Sequence, residues 1–102
     1  MKEYEGQNFK ELTSGETPLL VQYYAEWCGP CQMLKPVLEQ ISKEMHDVEF
    51  VRVDIDQYRD LAVNEGVQSI PTVVLYKGGK EVSRDAGFKP KQMMEKWINE
   101  SK

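Results

Sequence analysis

The sequence predicts one α/β domain that spans residues 1–102. Patterns typical of strands alternate with patterns typical of helices along the chain, which is the arrangement expected of an α/β fold. No internal repeat or linker-like stretch interrupts this alternation, and a chain of 102 residues is long enough for one hydrophobic core. The hydrophobic fraction of 40% and the charged fraction of 29% are those of an ordinary globular protein.

The first elements are a short helix and a buried strand. Residues 8–13 place Phe9 and Leu12 on one helical face and stop before a glycine, which predicts a short helix. Residues 19–25 form an almost unbroken apolar run, which is typical of a strand covered on both faces. Gln22 is the one polar residue in that run.

A long helix and a second central strand follow. Apolar residues at spacings of four, three and four predict a helix over residues 29–46, with the buried stripe Leu34, Leu38, Ile41 and Met45. Pro36 lies inside this helix and should kink it, because proline removes a backbone hydrogen bond and crowds the preceding turn. Residues 48–54 predict the strand, after which Asp56 can cap a short helix that ends near Gly66.

The last elements are a hairpin and a helix. Residues 72–76 and 81–85 flank paired glycines, which permit the positive φ angles of a tight turn, so we expect two antiparallel strands. The last helix opens at Pro90 and carries an apolar face that should pack on the sheet, formed by Met93, Met94, Trp97 and Ile98.

Charge and hydropathy exclude two classes of partner. The net charge of −4 comes from acidic and basic residues interspersed along the chain, without the basic cluster that binds phosphates, so nucleic acid is not expected as a partner. No apolar run approaches the length of a membrane span, so a membrane is not expected either. The first five residues lack the apolar region of a secretory signal, and we therefore expect a cytoplasmic protein.

The two cysteines lie between a predicted strand and the start of the long predicted helix. A helix N-terminus presents unpaired N–H groups and the positive end of the macrodipole, which favour a thiolate, so Cys28 is the expected attacking nucleophile. One helical turn then brings Cys31 close enough to displace Cys28 from a mixed disulfide, which makes Cys31 the resolving residue. Between them, Pro30 suits the first helical turn and Gly29 lets a substrate backbone approach.

A zinc site is the alternative interpretation of two cysteines at this spacing. Such a site needs further cysteine or histidine ligands, and the chain offers only His46, which lies at the end of the long predicted helix. We therefore expect no metal site.

The segment Tyr24-Ala25-Glu26-Trp27-Cys28-Gly29-Pro30-Cys31 resembles the active-site segment of the thioredoxin family. The similarity covers nearly the whole chain: Pro36 resembles the family's kink proline, and Ile70-Pro71-Thr72 its loop with a cis proline facing the disulfide. The resemblance implies a thioredoxin fold, with a central five-stranded mixed sheet flanked by four helices. From the residues alone, an ordinary strand-edge proline at Pro71 remains an alternative.

The resemblance also implies a docking surface for substrate proteins around the cysteines. Its residues would be Trp27, Gly29, Pro30, Gly66, Ile70, Pro71 and Gly87.

Two positions depart from the family pattern. Thioredoxins usually carry a buried aspartate where this chain has Gln22, and Arg52 stands in place of the lysine that neighbours it. Glutamine cannot relay a proton, so the substitution affects the expected rate and redox potential, while the dithiol pair is intact. The plain alternative is that Gln22 only satisfies its hydrogen bonds inside the sheet.

The expected function is that of a protein-disulfide reductase. The resemblance implies no bound cofactor, a redox-active disulfide between Cys28 and Cys31, and electrons that a thioredoxin reductase takes from NADPH. The expected partners are that reductase and disulfide-containing proteins, and the expected oligomeric state is a monomer. A binding subunit that uses the same surface without turnover is the alternative, in which serine at both cysteine positions would leave function intact.

Overall fold

The computed structural model describes residues Met1–Lys102 and contains four helices and one mixed sheet of five strands. In chain order the elements are β1 (Lys2–Glu3), α1 (Phe9–Thr13), β2 (Leu19–Tyr24), α2 (Gly29–Glu44), β3 (Glu49–Asp54), α3 (Arg59–Asn64), β4 (Thr72–Lys77), β5 (Lys80–Ala86) and α4 (Lys91–Ser101). This architecture confirms the predicted α/β class, with five strands and four helices.

The strands are ordered β1-β3-β2-β4-β5 across the sheet. β1, β3 and β2 run parallel, whereas β4 pairs antiparallel with β2 and β5 pairs antiparallel with β4. The turn between β4 and β5 is made by Gly78 and Gly79, whose φ angles of 59° and 81° confirm the expected hairpin. β2 lies at the centre of the sheet, and the chain leaves its end directly into the segment that carries the cysteines.

Each face of the sheet is covered by two helices. On one face α2 and α4 pack on a core that includes Leu20, Leu34, Leu38, Ile41, Phe50, Val73, Leu75, Met94 and Ile98. On the other face α1 and α3 cover a second core, whose buried members are Tyr4, Leu19, Val21, Tyr23, Val51, Val53, Val74 and Tyr76. Alternate residues of β2 and β3 point to opposite faces, as the period of a strand requires.

The long helix α2 follows the predicted apolar stripe. Leu34, Leu38 and Ile41 have no exposed surface, and Met45, just beyond the helix, packs against the same core. Pro36 lies inside α2, as predicted, and its side chain is exposed. None of the helices has the length and apolar character needed to cross a bilayer.

Asp56 does not cap α3, which corrects the prediction. The helix begins after Tyr58 and has no side-chain cap. Asp54 instead accepts hydrogen bonds from the backbone N–H groups of Asp56 and Gln57, at 2.9 and 3.4 Å. These bonds form a turn, and the helix begins after it. This turn releases the Asp56 side chain for a contact with Trp27.

The predicted buried face of α4 is wrong at one position, Met93. Met94 and Ile98 are fully buried and Trp97 packs beside them, but Met93 is 55% exposed. Met94 and Ile98, four positions apart, face the sheet, and Met93 lies about 100° around the helix axis from Met94, toward solvent.

Candidate active site

The two cysteines lie at the N-terminus of α2 and are joined by a disulfide, with their Cα atoms 5.2 Å apart. Cys28 is the N-cap residue, and its Sγ accepts a hydrogen bond from the backbone N–H of Cys31 at 3.2 Å. Gly29 and Pro30 occupy the first helical positions, where backbone N–H groups have no helical partner in any case. The sulfur of Cys28 is thus placed where the helix N-terminus favours negative charge.

The two sulfurs differ in their access to solvent. Cys28 is 6% exposed, whereas Cys31 is completely buried. Both pack with Tyr24 and Ala25, and Ile70 lies against this cluster. A partner protein can therefore reach Cys28 from the surface, whereas Cys31 is accessible only from within the site.

Trp27 lies beside Cys28 in the chain and is 71% exposed. Its Nε1–H donates a hydrogen bond to Asp56 Oδ2 at 2.9 Å, which fixes the indole at the edge of a cavity of about 290 Å³. We call this cavity the Trp27 groove. It is lined by Trp27, Ile55, Val67, Gln68, Ser69 and Ile70.

The loop before β4 borders this groove and contains the predicted cis proline. The peptide bond between Ile70 and Pro71 is cis. The carbonyl of Pro71 accepts a hydrogen bond of 2.8 Å from the N–H of Gly87, whose φ of 89° is accessible mainly to glycine. Ile70, Pro71 and Gly87 are therefore connected, and Ile70 is the member that packs against the cysteines.

Gly29 and Gly66, two glycines predicted at the docking surface, have different surroundings. A Cβ added at Gly29 would meet no atom within 4 Å, so this position is open to an approaching partner. Gly66 terminates α3 with a φ of 70°, and its carbonyl accepts a hydrogen bond from Arg84 at 3.1 Å. Gly66 does not line the Trp27 groove.

Gln22 and Arg52 are in contact behind the cysteines. Gln22 is completely buried, and its Nε2 donates to the carbonyl of Cys31 at 3.3 Å. Its Oε1 accepts a hydrogen bond from Arg52 Nε at 3.3 Å. The amide of Gln22 thus has a partner at each end, and it connects the backbone of Cys31 to a buried guanidinium.

The guanidinium of Arg52 has two further contacts, both of which sequence reasoning missed. It lies 3.6 Å from the centroid of the Tyr24 ring, and its NH1 forms an ion pair with Glu3 Oε1 at 3.4 Å. The Tyr24 hydroxyl donates to the other oxygen of Glu3. Burial, reinforced by Glu3, raises the pKa of Tyr24 and keeps its hydroxyl protonated. We call Glu3, Arg52 and Gln22 the buried polar row, after its two buried members, Arg52 and Gln22.

No group of three or more histidine, cysteine or acidic side chains comes together in a way that could hold a metal ion. His46 lies beyond the C-terminal end of α2, whereas the cysteines lie at its N-terminus. The reactive groups that the site brings together are the sulfurs of Cys28 and Cys31.

Known proteins are similar to this chain in sequence. The family model described as Thioredoxin matches residues 1–100. A thioredoxin of Bacillus subtilis is 42% identical over 94 residues, which cover 91% of this chain and 89% of the relative. A thioredoxin of Rickettsia felis is 39% identical over 93 residues, covering 90% of this chain and 89% of the relative.

Solved structures give the same result. Thioredoxin NaTrxh from Nicotiana alata is similar with a TM-score of 0.87 and 37% identity, over 98% of this chain and 90% of that one. A mutant thioredoxin from Halobacterium salinarum has a TM-score of 0.87 at 31% identity, over 99% of this chain and 88% of that one.

Proposed function

The chain belongs to the thioredoxin family and is a thiol-disulfide oxidoreductase, and from that premise we propose that it reduces disulfides in other proteins with electrons from NADPH. The observation that carries the proposal is the asymmetry of the pair. The Cys28 sulfur lies at a helix N-terminus and reaches the surface, while Cys31 is completely buried one turn away. That difference supports an attacking role for Cys28 and a resolving role for Cys31.

In the first reaction, the thiolate of Cys28 attacks one sulfur of a substrate disulfide. A bond forms between Cys28 Sγ and that sulfur, the substrate S–S bond breaks, and the other substrate sulfur leaves as a thiolate that takes up a proton. The N–H of Cys31, which donates to Cys28 Sγ at 3.2 Å in the disulfide form, is well placed to stabilise the attacking thiolate.

In the second reaction, the thiolate of Cys31 attacks Cys28 Sγ. The mixed disulfide breaks, the Cys28–Cys31 bond forms, and the second substrate sulfur leaves as a thiol after protonation. Two electrons and two protons have then passed from the dithiol to the substrate. The Cα separation of 5.2 Å lies within the range that a disulfide spans, so this ring closes without large backbone movement.

We propose that substrate proteins dock over the Trp27 groove. The exposed indole of Trp27 and the side chain of Ile70 offer apolar surface beside Cys28, and the exposed backbone at Gly29 leaves room for a partner. Pro71 and Gly87 are joined by a backbone hydrogen bond and hold the loop that carries Ile70. Gly66, at the end of α3, would contribute only at the margin of this surface.

The disulfide form must be reduced again after each turnover. We propose that a thioredoxin reductase, itself reduced by NADPH, supplies the two electrons by exchange with the Cys28–Cys31 disulfide. No cofactor bound to this chain is needed, because the electrons are carried by the two sulfurs.

We also propose that the protein works as a monomer in the cytoplasm. Both edges of the sheet are blunted against pairing with a second copy: β1 has only 2 residues, and β5 carries charges at Lys80, Glu81, Arg84 and Asp85. A cytoplasmic location is supported by the redox role, since thiols are kept reduced there.

The test is insulin reduction coupled to NADPH oxidation by a purified thioredoxin reductase. We expect turnover by the native protein and none by a Cys28→Ser variant. NADPH oxidation that is equal with and without the protein would contradict the proposed electron source. Retention of full cellular function by the Cys28→Ser, Cys31→Ser double variant would instead favour a binding subunit.

A further inference from the structure

The buried polar row crosses three neighbouring parallel strands. Glu3 on β1 is the register partner of Arg52 on β3, and Arg52 is the register partner of Gln22 on β2. Their side chains point to the face that α2 covers, because they share the phase of Leu20 and Phe50. The row begins at the edge of the sheet and ends at the carbonyl of the resolving cysteine.

Arg52 places a permanent positive charge in this row. Its side chain is only 7% exposed, and a guanidinium stays protonated in proteins. The carboxylate of Glu3, whose side chain is 44% exposed, is its one ion-pair partner. Asp54, two residues beyond Arg52 on β3, accepts hydrogen bonds from the backbone N–H groups of Asp56 and Gln57.

We propose that Glu3 is a positioning residue that sets the acidity and the reduction potential of the Cys28–Cys31 pair through Arg52. The inference rests on the proposed roles of the two cysteines. A buried positive charge behind Cys31 favours thiolates over thiols, and Glu3 opposes that effect by neutralising part of the charge. Gln22 transmits the arrangement because its amide fixes the guanidinium relative to the Cys31 backbone.

The sign of the effect follows directly. Loss of the Glu3 charge leaves Arg52 less neutralised, so thiolates form at lower pH and the dithiol is stabilised relative to the disulfide. A stabilised dithiol makes the pair a weaker reductant. Loss of the Arg52 charge has the opposite effect.

The first test compares Glu3→Gln with Glu5→Gln, which removes an equal charge from an exposed residue that forms no ion pair. The measurements are the pH midpoint of Cys28 alkylation in the reduced protein and the redox equilibrium with glutathione. For Glu3→Gln we expect a lower pH midpoint of Cys28 alkylation. At pH values above that midpoint, we expect the redox equilibrium with glutathione to shift toward the dithiol by about two- to fivefold, or about 9 to 21 mV. The shift should disappear below the midpoint, and Glu5→Gln should show none.

A second variant separates electrostatics from structural damage. Arg52→Gln breaks the same ion pair, so a merely structural role would move both properties in the same direction as in Glu3→Gln. We expect Arg52→Gln to raise the midpoint and shift the equilibrium toward the disulfide. Should this variant fail to fold, Glu3→Asp takes its place, because it keeps the charge and should stay closer to the native protein than Glu3→Gln.

The inference is overturned if Glu3→Gln matches Glu5→Gln, if Glu3→Gln and Arg52→Gln shift in the same direction, or if Glu3→Asp shifts as far as Glu3→Gln. These measurements contain neither a thioredoxin reductase nor a protein substrate. Failure of the inference is therefore distinguishable from failure of the proposed electron pathway, which the coupled insulin assay reports.

Discussion

The two faces of the sheet bury two different polar systems. The face under α2 holds the buried polar row, whose centre is the charged guanidinium of Arg52. The opposite face holds a pair of phenols: the hydroxyls of Tyr23 and Tyr76 lie 2.7 Å apart, and Tyr76 donates to Glu65 Oε1 at 2.7 Å. Because Tyr76 uses its proton for Glu65, the Tyr23 hydroxyl donates to Tyr76.

The difference lies in what each system contacts at its end. The buried polar row ends at the backbone of a reactive cysteine. The phenol pair ends at α3, where Arg84 from β5 also binds the carbonyls of Glu65 and Gly66. A buried charge thus lies where it can act on sulfur chemistry, whereas neutral hydroxyls connect structural elements. Substitutions on the first face should alter redox properties, and those on the second should alter stability alone.

The largest expected effect is that of Cys31→Ser. Without a resolving thiol, the mixed disulfide between Cys28 and a substrate protein cannot be released by the second reaction. We expect insulin turnover to fall to background and covalent complexes to accumulate. Non-reducing electrophoresis after incubation with oxidised substrate would detect them, with Cys28→Ser as the control. Equal capture by the two variants would contradict the assigned order of attack.

The Cys31→Ser prediction depends on features that the amino-acid sequence alone predicts. The strand-to-helix junction and the cysteine spacing are local, so they predict the position of Cys28 at the helix N-terminus. The cis bond before Pro71 followed from family resemblance, since the residues alone left an ordinary proline open.

The buried polar row could not be predicted in the same way. Glu3 and Arg52 are 49 residues apart in the chain, and they meet only because β1 pairs with β3 in one register. β1 has 2 residues and no apolar alternation, so nothing local marks it as a strand. Asp56 was misassigned for a local reason, because Asp54 accepts the backbone N–H groups of Asp56 and Gln57 and α3 begins only after Tyr58.

The next largest effect concerns the phenol pair. Tyr76→Phe leaves the Tyr23 hydroxyl without its acceptor, and we expect a loss of about 1 to 3 kcal/mol in the free energy of unfolding at pH 7. Insulin turnover should stay close to the native rate, because Tyr76 belongs neither to the cysteine cluster nor to the lining of the Trp27 groove. Denaturant unfolding and the coupled assay measure the two quantities. A redox defect in this variant would break the proposed division between the faces.

The stability of Tyr76→Phe relative to the native protein should also depend on pH in alkaline solution. Burial raises the pKa values of Tyr23 and Tyr76, so both stay protonated in the folded protein while the unfolded chain ionises near pH 10. Each such tyrosine contributes stability that is present below pH 10 and lost above it, by about 1.4 kcal/mol per pH unit. Tyr76→Phe removes one of these losses. Its deficit against the native protein should therefore shrink between pH 9 and about pH 11, and an unchanged deficit would contradict the assignment.

A smaller effect is expected for the two thiols of the native protein. Cys28 lies at the helix N-terminus and reaches solvent, whereas Cys31 is fully buried. In reduced protein at pH 7 we expect iodoacetamide to modify Cys28 on the order of tenfold faster than Cys31, or more, because the helix N-terminus favours the thiolate of Cys28 and only that sulfur reaches solvent. Mass spectrometry after brief labelling measures the ratio. Preferential labelling of Cys31 would reverse the two roles.

The smallest expected effect is at the rim of the Trp27 groove. Asp56 Oδ2 accepts the indole N–H of Trp27 at 2.9 Å, and both side chains are exposed. Asp56→Ala removes this acceptor and frees the indole, whereas Asp56→Asn retains an oxygen at the same place. Since an exposed hydrogen bond contributes about 0.5 kcal/mol at the low end of the usual range, we expect KM for insulin to rise about two- to threefold in Asp56→Ala, with kcat little changed. The fluorescence anisotropy of Trp27, measured with Trp97→Phe as background, should fall in Asp56→Ala and not in Asp56→Asn. The redox equilibrium with glutathione should be the same in both variants, because the groove contacts substrate and the buried polar row contacts the cysteines. A change in that equilibrium with Asp56→Ala alone would mean that the exposed rim of the site also affects the reduction potential. The buried charge of Arg52 would then not be the feature that separates control of the potential from control of substrate binding.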